Sequence, residues 1–311
     1  MTLAVVVPVY NEAAGLEEFA GVVQQVLETL DFRWEVLFVD DGSTDESWDI
    51  IVRLSRRNPQ FKGLRLSRNF GHQIALSAGL DQIQADVVLM MDADLQHPPE
   101  LIPELIARWR EGYDVVNTIR EDSLDTPWFK RATASAFYWL INRLSEVPVV
   151  HGAADFRLLD RRALDSLRAM PERHRFLRGM VSWIGFSQTY ITYHPRQRVH
   201  GVSKYTLKKM WNLGMDGITS FSVVPLRLSL MLGAISIAIA VIYAGYVLWM
   251  KFFTHGTEPG WASLMGVILF FGGVQLMSLG ILGEYLGKIF GEIKQRLFNL
   301  IAKTVGFSAH M

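Results

Sequence analysis

The stretch VVLMMDADLQHPPEL, residues 87–101, is the clearest indication of the fold, because an apolar run passes straight into two carboxylates and then into a Pro-Pro pair. A short, continuous run of Val, Leu and Met bounded by turn residues is typical of a β-strand that is covered on both faces. Proline lacks the N–H that strand pairing uses, so the Pro98-Pro99 pair predicts that the strand ends before it. Asp92 and Asp94 are therefore predicted at the carboxyl end of a buried strand.

The sequence on either side of this stretch contains further apolar runs of the same kind. Strand-like runs alternate with amphipathic helical patterns, and this alternation predicts an α/β fold with a mostly parallel sheet. The N-terminal run is too short for a signal-peptide core or a membrane span, so it is interpreted as the first strand. The runs interpreted as strands are Leu3–Tyr10, Trp34–Asp41, Gly63–Asn69, Asp86–Asp94 and Tyr113–Arg120.

Polar clusters follow three of these runs. They are Tyr10-Asn11-Glu12, Asp40-Asp41 and Asp92-Ala93-Asp94. Ligands of such sheets bind at the carboxyl ends of the strands, so the three clusters should converge on one crevice. The glycine fingerprints of dinucleotide sites and P-loops do not occur in the sequence.

Acidic residues at that edge suit a divalent cation. Asp94 and Gln96 offer a carboxylate and an amide oxygen, and Asp92 lies nearby in the sequence. Asp40 and Asp41 are better placed to hydrogen-bond a base or a ribose. A turn or a helix cap is the alternative interpretation of the Asp-x-Asp motif.

Other polar residues have two interpretations each. His97 would cap the helix that starts at the prolines, or act as a third metal ligand. His72 is expected to be structural. A run of cations forms either a solvated face or a loop that guards the pocket near an anionic lipid head group; it comprises Arg173, His174, Arg175 and Arg178.

The composition excludes several kinds of site. Lys plus Arg and Asp plus Glu are each 31, so the net charge is 0 and no nucleic-acid partner is expected. Cysteine is absent, which excludes disulfides, cysteine metal sites and thiol catalysis. Hydrophobic residues make up 50% of the chain, which is high for a soluble enzyme.

Two segments account for the apolar excess. Leu228–Met250 and Trp261–Gly283 contain no charged residue, and each would reach roughly 34 Å as a helix, enough to cross a membrane. A pair of buried core helices is the alternative. Lys and Arg cluster before the first segment and after the second, whereas the loop between them has only Lys251. The positive-inside rule therefore predicts a multi-pass protein with both termini in the cytoplasm.

The sequence divides into four predicted parts: a catalytic domain at 1–200, interfacial helices at 201–227, two transmembrane helices at 228–283 and a cytoplasmic C-terminal tail at 284–311. Trp128–Val147 and Tyr205–Leu228 are rich in aromatic residues and cations, which favours helices at a membrane surface. Packing on the sheet domain is the alternative for both.

A set of motifs spread along the chain resembles the polyprenyl-phosphate glycosyltransferases. These enzymes are of the family-2, GT-A type, and the likeness is greatest to bactoprenol (undecaprenyl-phosphate) glucosyltransferases and weaker to dolichol-phosphate mannose synthases. The motifs are VPVYNE (7–12), VDDGSTD (39–45), RNFGHQIALSAGLD (68–81), MDADLQHPPE (91–100), GAADFRLLDR (152–161), RFLRGMVSWIGF (175–186), SKYTLKKM (203–210) and DGITSFSVVPLRL (216–228).

The resemblance implies a GT-A, Rossmann-like domain followed by interfacial helices and a two-helix transmembrane hairpin. It also implies a role for individual residues. Nucleotide-sugar contacts would come from Pro8, Tyr10, Glu12, Asp40, Asp41, Asp92 and Ala93. Mg²⁺ or Mn²⁺ would be held by Asp94 and Gln96, the lipid phosphate by Arg120, Arg131 and Ser135, and the catalytic set would be Asp94, Asp155, Arg198 and Lys204.

The expected activity is inverting transfer of glucose from UDP-glucose to undecaprenyl phosphate at the inner face of the bacterial cytoplasmic membrane. Mannosyl or another glycosyl transfer, as in dolichol-phosphate mannose synthases, is one alternative. A processive polysaccharide synthase and a non-catalytic membrane adaptor are two others. Further expected partners are the bilayer, a second copy of the chain, a flippase and a periplasmic transferase. Whether Asp155 is a base or only orients the sugar stays open.

Overall fold

The computed structural model describes residues 1–121, 152–173, 175–195, 222–253 and 260–307. The strands are β1 (Thr2–Val9), β2 (Arg33–Asp40), β3 (Phe61–Leu66), β4 (Val87–Met90), β5 (Val115–Arg120), β6 (Ala153–Asp160), β7 (Gln188–Tyr193) and β8 (Ile301–Val305). The helices are α1 (Leu16–Leu27), α2 (Ser47–Arg57), α3 (His72–Gln82), α4 (Ile102–Arg110), α5 (Arg161–Ala169), α6 (Leu177–Trp183), α7 (Val224–Phe253) and α8 (Trp261–Ile293).

The described strands form one eight-stranded sheet in the order β7-β5-β6-β4-β1-β2-β3-β8. β1 pairs in parallel with β2 and β4, β2 with β3, and β5 with β7. The five strands predicted from the apolar runs are all present, and the α/β fold with a mostly parallel sheet is confirmed.

The order of the strands reverses at β1. The chain first moves outward from β1 to β2 and β3, and then returns to place β4 on the other side of β1. Such a reversal opens a crevice beyond the carboxyl ends of the strands. The carboxyl ends of β1, β2 and β4 therefore lie at one edge, as the sequence predicts.

Helices cover both faces of the sheet. Leu3, Val5 and Val7 of β1 pack with α1, α2 and α4 on one face, whereas Ala4 and Val6 pack with α3, α5 and α6 on the other. Burial of these side chains, at about 25 cal/mol per Å² of apolar surface, is the main force that holds the layers together. α3 approaches β1 so closely that a Cβ at Gly79 would lie 2.5 Å from Val6.

Three strands were not predicted from the sequence. β6 runs antiparallel between β4 and β5, and β7 forms one edge of the sheet next to β5. β8 forms the other edge and pairs antiparallel with β3. Residues 301–305, predicted as part of a cytoplasmic tail, thus belong to the same sheet as the N-terminus.

The two long helices expose apolar side chains along much of their length, including Leu230, Ile237, Val241 and Leu276. Among the described residues, one helical segment, Val224–Tyr246, is long and apolar enough by itself to cross a membrane. A second span remains a prediction. The proposed surface helix at Trp128–Val147, and most of the one at Tyr205–Leu228, lie outside the described residues.

The end of α8 is tied to the sheet domain. The Glu292 carboxylate accepts the backbone N–H of Arg173 at 3.0 and 3.2 Å. The Arg175 guanidinium lies 4.7 Å from the centre of the Phe298 ring and 3.4 Å from the Asp81 carboxylate. Since the Arg175 side chain is only 6% exposed, the prediction of a solvated face is wrong at this residue.

Candidate active site

The loops that follow β1 and β2 are joined by hydrogen bonds. The N–H of Asn11 donates to Ser43 Oγ at 3.0 Å, and the N–H of Thr44 donates to Asn11 Oδ1 at 2.9 Å. The N–H of Glu12 donates to Ser47 Oγ at 3.0 Å. Asn11 adopts a left-handed backbone (φ 55°), which asparagine tolerates better than most residues. These bonds fix the predicted Tyr10–Glu12 cluster against the end of β2.

Asp40 ends β2 and is fully buried. Its Oδ1 accepts the N–H of Ser43 at 2.9 Å. Arg65 Nε lies 3.1 Å from Asp40 Oδ2, but Oδ2 has no well-directed hydrogen bond, so this contact is an ion pair. Arg65 Nη2 also donates to the Ser43 carbonyl at 2.9 Å, so Asp40 and Arg65 together hold the turn after β2.

Asp41 connects the ends of β2 and β3. Its carboxylate accepts the backbone N–H groups of Phe70 at 2.7 Å and Gly71 at 2.9 Å. Burial raises the pKa of Asp41, and these two hydrogen bonds oppose the shift. Asp40 and Asp41 therefore shape the wall of the crevice, and their contact with a nucleoside stays a prediction.

The acidic turn after β4 is organised by its own side chains. The N–H of Gln96 donates to Asp94 Oδ1 at 3.1 Å, and Leu95 adopts a left-handed backbone (φ 56°). The N–H of Asp92 donates to His97 Nδ1 at 3.1 Å. Asp92, Asp94 and Gln96 are partly exposed at the crevice, whereas Leu95 and His97 are buried beneath them.

His97 does not cap the helix after it. The helical turn starts at Pro99 with Pro98 before it and has no side-chain cap, so that prediction is wrong. The His97 ring instead stacks on Phe156 at 5.1 Å between ring centres, and its Nε2 lies 3.8 Å from Asp92 Oδ2. His97 therefore stabilises the acidic turn, because its Nδ1 accepts the backbone N–H of Asp92 while its ring is packed on Phe156.

Asp155 of β6 is the most highly coordinated carboxylate at the site. Arg178 donates to both of its oxygens, from Nε at 2.9 Å and from Nη2 at 3.0 Å. Gln73 Nε2 donates to Oδ2 at 3.2 Å, and Arg157 Nη2 lies 3.7 Å from Oδ1. Burial opposes ionisation, but the charge and the hydrogen bonds of Arg178, together with the nearby Arg157, outweigh it and hold the pKa of Asp155 well below its usual range.

His72 lies between two carboxylates. Its Nε2 is 3.2 Å from Asp92 Oδ1 and 3.7 Å from Asp155 Oδ2. This histidine was predicted to be structural, yet it links the acidic turn after β4 to the Asp155 cluster. Gln73 and Arg157 were likewise missed as parts of the site, although both fall within the quoted motifs. Arg178 was predicted only as part of a cation run that forms either a solvated face or a loop near the pocket.

Arg120 ends β5 next to the acidic turn. Its Nη1 lies 3.4 Å from Gln96 Oε1, so a residue predicted to bind lipid phosphate meets a residue predicted to bind metal. Tyr193 of β7 is nearby, and burial raises its pKa to about 12. Four predicted site residues lie outside the described residues: Arg131, Ser135, Arg198 and Lys204.

The donor set of the acidic turn fits a hard cation. Asp94 and Gln96 supply one carboxylate and one amide oxygen, which leaves room for diphosphate oxygens and water. Among the residues that the structure describes, no three His, Asp or Glu side chains form a preformed metal cluster. The turn therefore suits a cation that arrives with a diphosphate better than one that is fully enclosed by protein.

Two protein-family models match this chain, one in each of its two parts. Residues 4–168 match the glycosyl transferase family 2 model, and residues 224–289 match the GtrB C-terminal hairpin model. The first match spans β1 to α5, including the carboxylate edge, and the second spans most of α7 and α8.

Relatives match along nearly the whole chain. An uncharacterised glycosyltransferase of Synechocystis is 42% identical over 98% of this chain and 96% of its own. A prophage-derived bactoprenol glucosyl transferase of Shigella flexneri is 38% identical over 98% of both chains. A prophage bactoprenol glucosyl transferase homologue of Escherichia coli is 37% identical over 95% of this chain and 97% of its own.

A glucosyl-3-phosphoglycerate synthase from Mycobacterium tuberculosis, solved with Mn²⁺, UDP and phosphoglyceric acid, is similar at 19% identity over 70% of this chain and 76% of its own, with a TM-score of 0.47. The family is established by the sequence matches, which cover the sheet and the hairpin alike. Together with the carboxylate edge, they show that this chain belongs to glycosyl transferase family 2 and has the GT-A fold of that family.

Proposed function

We propose that the protein transfers the glucosyl group of a nucleoside diphosphate glucose to a polyprenyl phosphate at a membrane surface. The observation that carries the proposal is that His72 joins the acidic turn after β4 to the Asp155 cluster at the crevice. The same chain also matches a C-terminal hairpin model. The relatives named bactoprenol glucosyl transferase, which match both parts, support this choice of sugar and lipid.

The nucleotide sugar would lie along the edge formed by β1, β2 and β4. Contacts are proposed for Pro8, Tyr10, Glu12, Asp40, Asp41, Asp92 and Ala93. Asp94 and Gln96 would hold Mg²⁺ or Mn²⁺, which supplies positive charge opposite the leaving diphosphate. Arg198 and Lys204 are proposed to bind the same diphosphate from another segment of the chain.

The acceptor itself is the nucleophile. A phosphate monoester has a second pKa near 6 and is already anionic at neutral pH, so no strong general base is needed. A phosphate oxygen forms a bond to the anomeric carbon, the bond to the diphosphate oxygen breaks, and the electron pair leaves with the nucleoside diphosphate. A single displacement inverts the anomeric centre, so an α-linked donor gives a β-linked lipid product.

Positive charge near the acceptor would come from Arg120, with Arg131 and Ser135 proposed beside it. A guanidinium matches phosphate oxygens with a planar pair of donors. Arg120 is already within 3.4 Å of Gln96, which favours adjacent sites for the lipid phosphate and the diphosphate.

The hairpin would bring the enzyme to its lipid. Extracting a polyprenyl chain costs about 0.8 kcal/mol for each CH₂, so the lipid stays in the bilayer. We propose that α7 and α8 both span the bacterial inner membrane, with both termini in the cytoplasm. Pairing of β8 with β3 supports termini on one side of the membrane, because it returns the chain to the sheet domain, and the distribution of Lys and Arg favours the cytoplasmic side. A homo-oligomer, a flippase and a periplasmic transferase remain predicted partners.

The test is a product assay with the purified full-length protein in detergent or vesicles. UDP- and GDP-sugars are each incubated with undecaprenyl phosphate and Mg²⁺ or Mn²⁺, and the lipid products are identified by mass. We expect a glucosyl-phospholipid from UDP-glucose. A mannosyl product would support the alternative related to dolichol-phosphate mannose synthases. A polymer would indicate a processive synthase, and no product with any donor would favour a non-catalytic adaptor.

A further inference from the structure

The hydrogen bonds around Asp155 leave it little capacity for proton transfer. An ionised carboxylate has about four acceptor positions. Three are used by directed donors, two from Arg178 and one from Gln73. A carboxylate in this setting can accept one more hydroxyl hydrogen, but it is a poor proton acceptor because protonation would break its pairing with a guanidinium.

Gln73 has two tasks that depend on each other. Its Nε2 donates to Asp155, and its Oε1 accepts the N–H of Leu177 at 3.1 Å. Leu177 is the first residue of α6, and the residue before that helix, Phe176, provides no side-chain cap. Gln73 therefore satisfies an unpaired N–H at the start of α6 and places the next residue, Arg178, opposite Asp155.

Three elements are joined by this arrangement. Asp155 lies on β6, Gln73 is the second residue of α3, and Arg178 is the second residue of α6. Asp155 and Arg157 are buried, and Arg157 Nε has no hydrogen-bond partner within the described part of the chain. Such a buried network is costly when one partner is removed, because the remaining charge cannot be solvated.

We propose that Gln73 and Arg178 are positioning residues that clamp Asp155 as a fixed, ionised acceptor, whose remaining lone pair orients a hydroxyl of the donor sugar. This inference rests on the proposed function and gives Asp155 an orienting role in place of that of a base. Among the residues that the structure describes, the charged and titratable groups facing Asp155 are Arg178 on α6, Arg157 on β6 and His72 on α3, with Asp92 beyond His72.

The test compares Arg178→Lys and Gln73→Met with wild type. Lysine keeps the charge but cannot donate from two atoms of a planar fork, and methionine keeps the length of glutamine without its hydrogen bonds. We expect kcat to fall by about 10- to 100-fold, while the KM for the lipid changes less than about twofold. Arg161→Lys, an exposed position on α5, is the matched control and should leave both constants unchanged.

A second readout separates positioning from simple loss of fold. The pKa of Asp155 is depressed, so its pairing stabilises the folded state above the unfolded pKa of about 3.9 and is lost as the pH falls toward the folded value. The difference in Tm between wild type and Arg178→Lys should thus be largest above about pH 5 and shrink below pH 4. A difference that is constant with pH would overturn the clamp.

The remaining outcomes are also decisive. If both variants keep wild-type kcat, or if they raise the lipid KM and leave kcat unchanged, the positioning role is wrong. If wild type forms no lipid-linked sugar, the proposed function fails, whereas the pH dependence of Tm still decides whether Arg178 holds Asp155 ionised.

Discussion

At the scale of single residues, Asp94 offers the clearest test of the proposed cation. It is partly exposed in the turn after β4, so Asp94→Asn should fold normally. Loss of a cation ligand removes stabilisation of the leaving diphosphate, and we expect kcat to fall on the order of 100-fold or more. Turnover by the purified variant measures this effect, and calorimetric titration with Mn²⁺ and UDP measures metal-dependent nucleotide binding.

Asp49→Asn is the control for that experiment. Asp49 is an exposed carboxylate in the first turn of α2 with no proposed role in substrate or metal binding, and its removal should change neither turnover nor binding. Near-normal activity of the Asp94 variant, or full wild-type activity in excess EDTA, would contradict the metal assignment.

Arg120 tests the proposed lipid-phosphate site. Arg120→Ala removes a charge-assisted contact of about 1.5–3 kcal/mol, so the KM for the lipid should rise roughly 10- to 150-fold. The KM for the nucleotide sugar should rise much less, although the contact with Gln96 predicts a small effect. Saturation curves for each substrate separate the two effects, with exposed Arg53→Ala as the control. A larger loss for the donor would mean that Arg120 serves the diphosphate.

Sequence patterns located the carboxylates at the strand ends but did not reveal how they are connected. An acid after a buried strand is visible in a short window, as with Asp92 and Asp94. His72, Asp155 and Arg178 come together only because α3 and α6 pack on the same face of the sheet, next to β6. No periodicity encodes a contact between residues so far apart, so a lone histidine was assigned a structural role.

At the scale of elements, β8 should stabilise the sheet domain. Ending the chain after Gln295 removes β8, together with the bond from the Ser67 N–H to the Leu300 carbonyl at 2.8 Å. If about 2 kcal/mol is lost, Tm should fall by roughly 4–8 °C. The β3 edge would also become available for pairing with other chains, which size-exclusion chromatography detects as aggregation.

A shorter truncation controls for chain length. Ending the chain after Phe307 keeps β8 and the contact of Phe307 with the core. This variant should match wild type in Tm and elution volume. Equal Tm values for all three proteins would show that β8 contributes nothing to stability.

Few local features of the sequence indicate β8 and β6. β8 has only five residues and is largely exposed, so it lacks the continuous apolar run that identifies a central strand such as β4. Gly306, whose backbone is left-handed (φ 81°), follows β8 and is a local turn signal. β6 carries Asp155 and Arg157 within an otherwise apolar run, which weakens its pattern because function places charges in the core.

For the complete molecule, the membrane topology can be tested. Because β8 pairs with β3, both termini should lie on the same side of the membrane. Cysteine scanning suits a chain without cysteine. A cysteine at Gly256, in the segment between the long helices, should react with a membrane-impermeant thiol reagent applied from outside intact cells. A cysteine at Ser308, just beyond β8, should react only after lysis. The reverse pattern would refute cytoplasmic termini.

The position of β8 at the end of the chain also determines when the last strand can join the sheet during synthesis. β3 leaves the ribosome early, but its outer partner follows both long helices in the sequence. At 5–20 residues per second, translation keeps that edge unpaired for roughly 10–50 s. The sheet therefore closes only after α7 and α8 have been synthesised, so a chain that stalls before the end of the hairpin carries an exposed strand edge that chaperones and proteases can recognise.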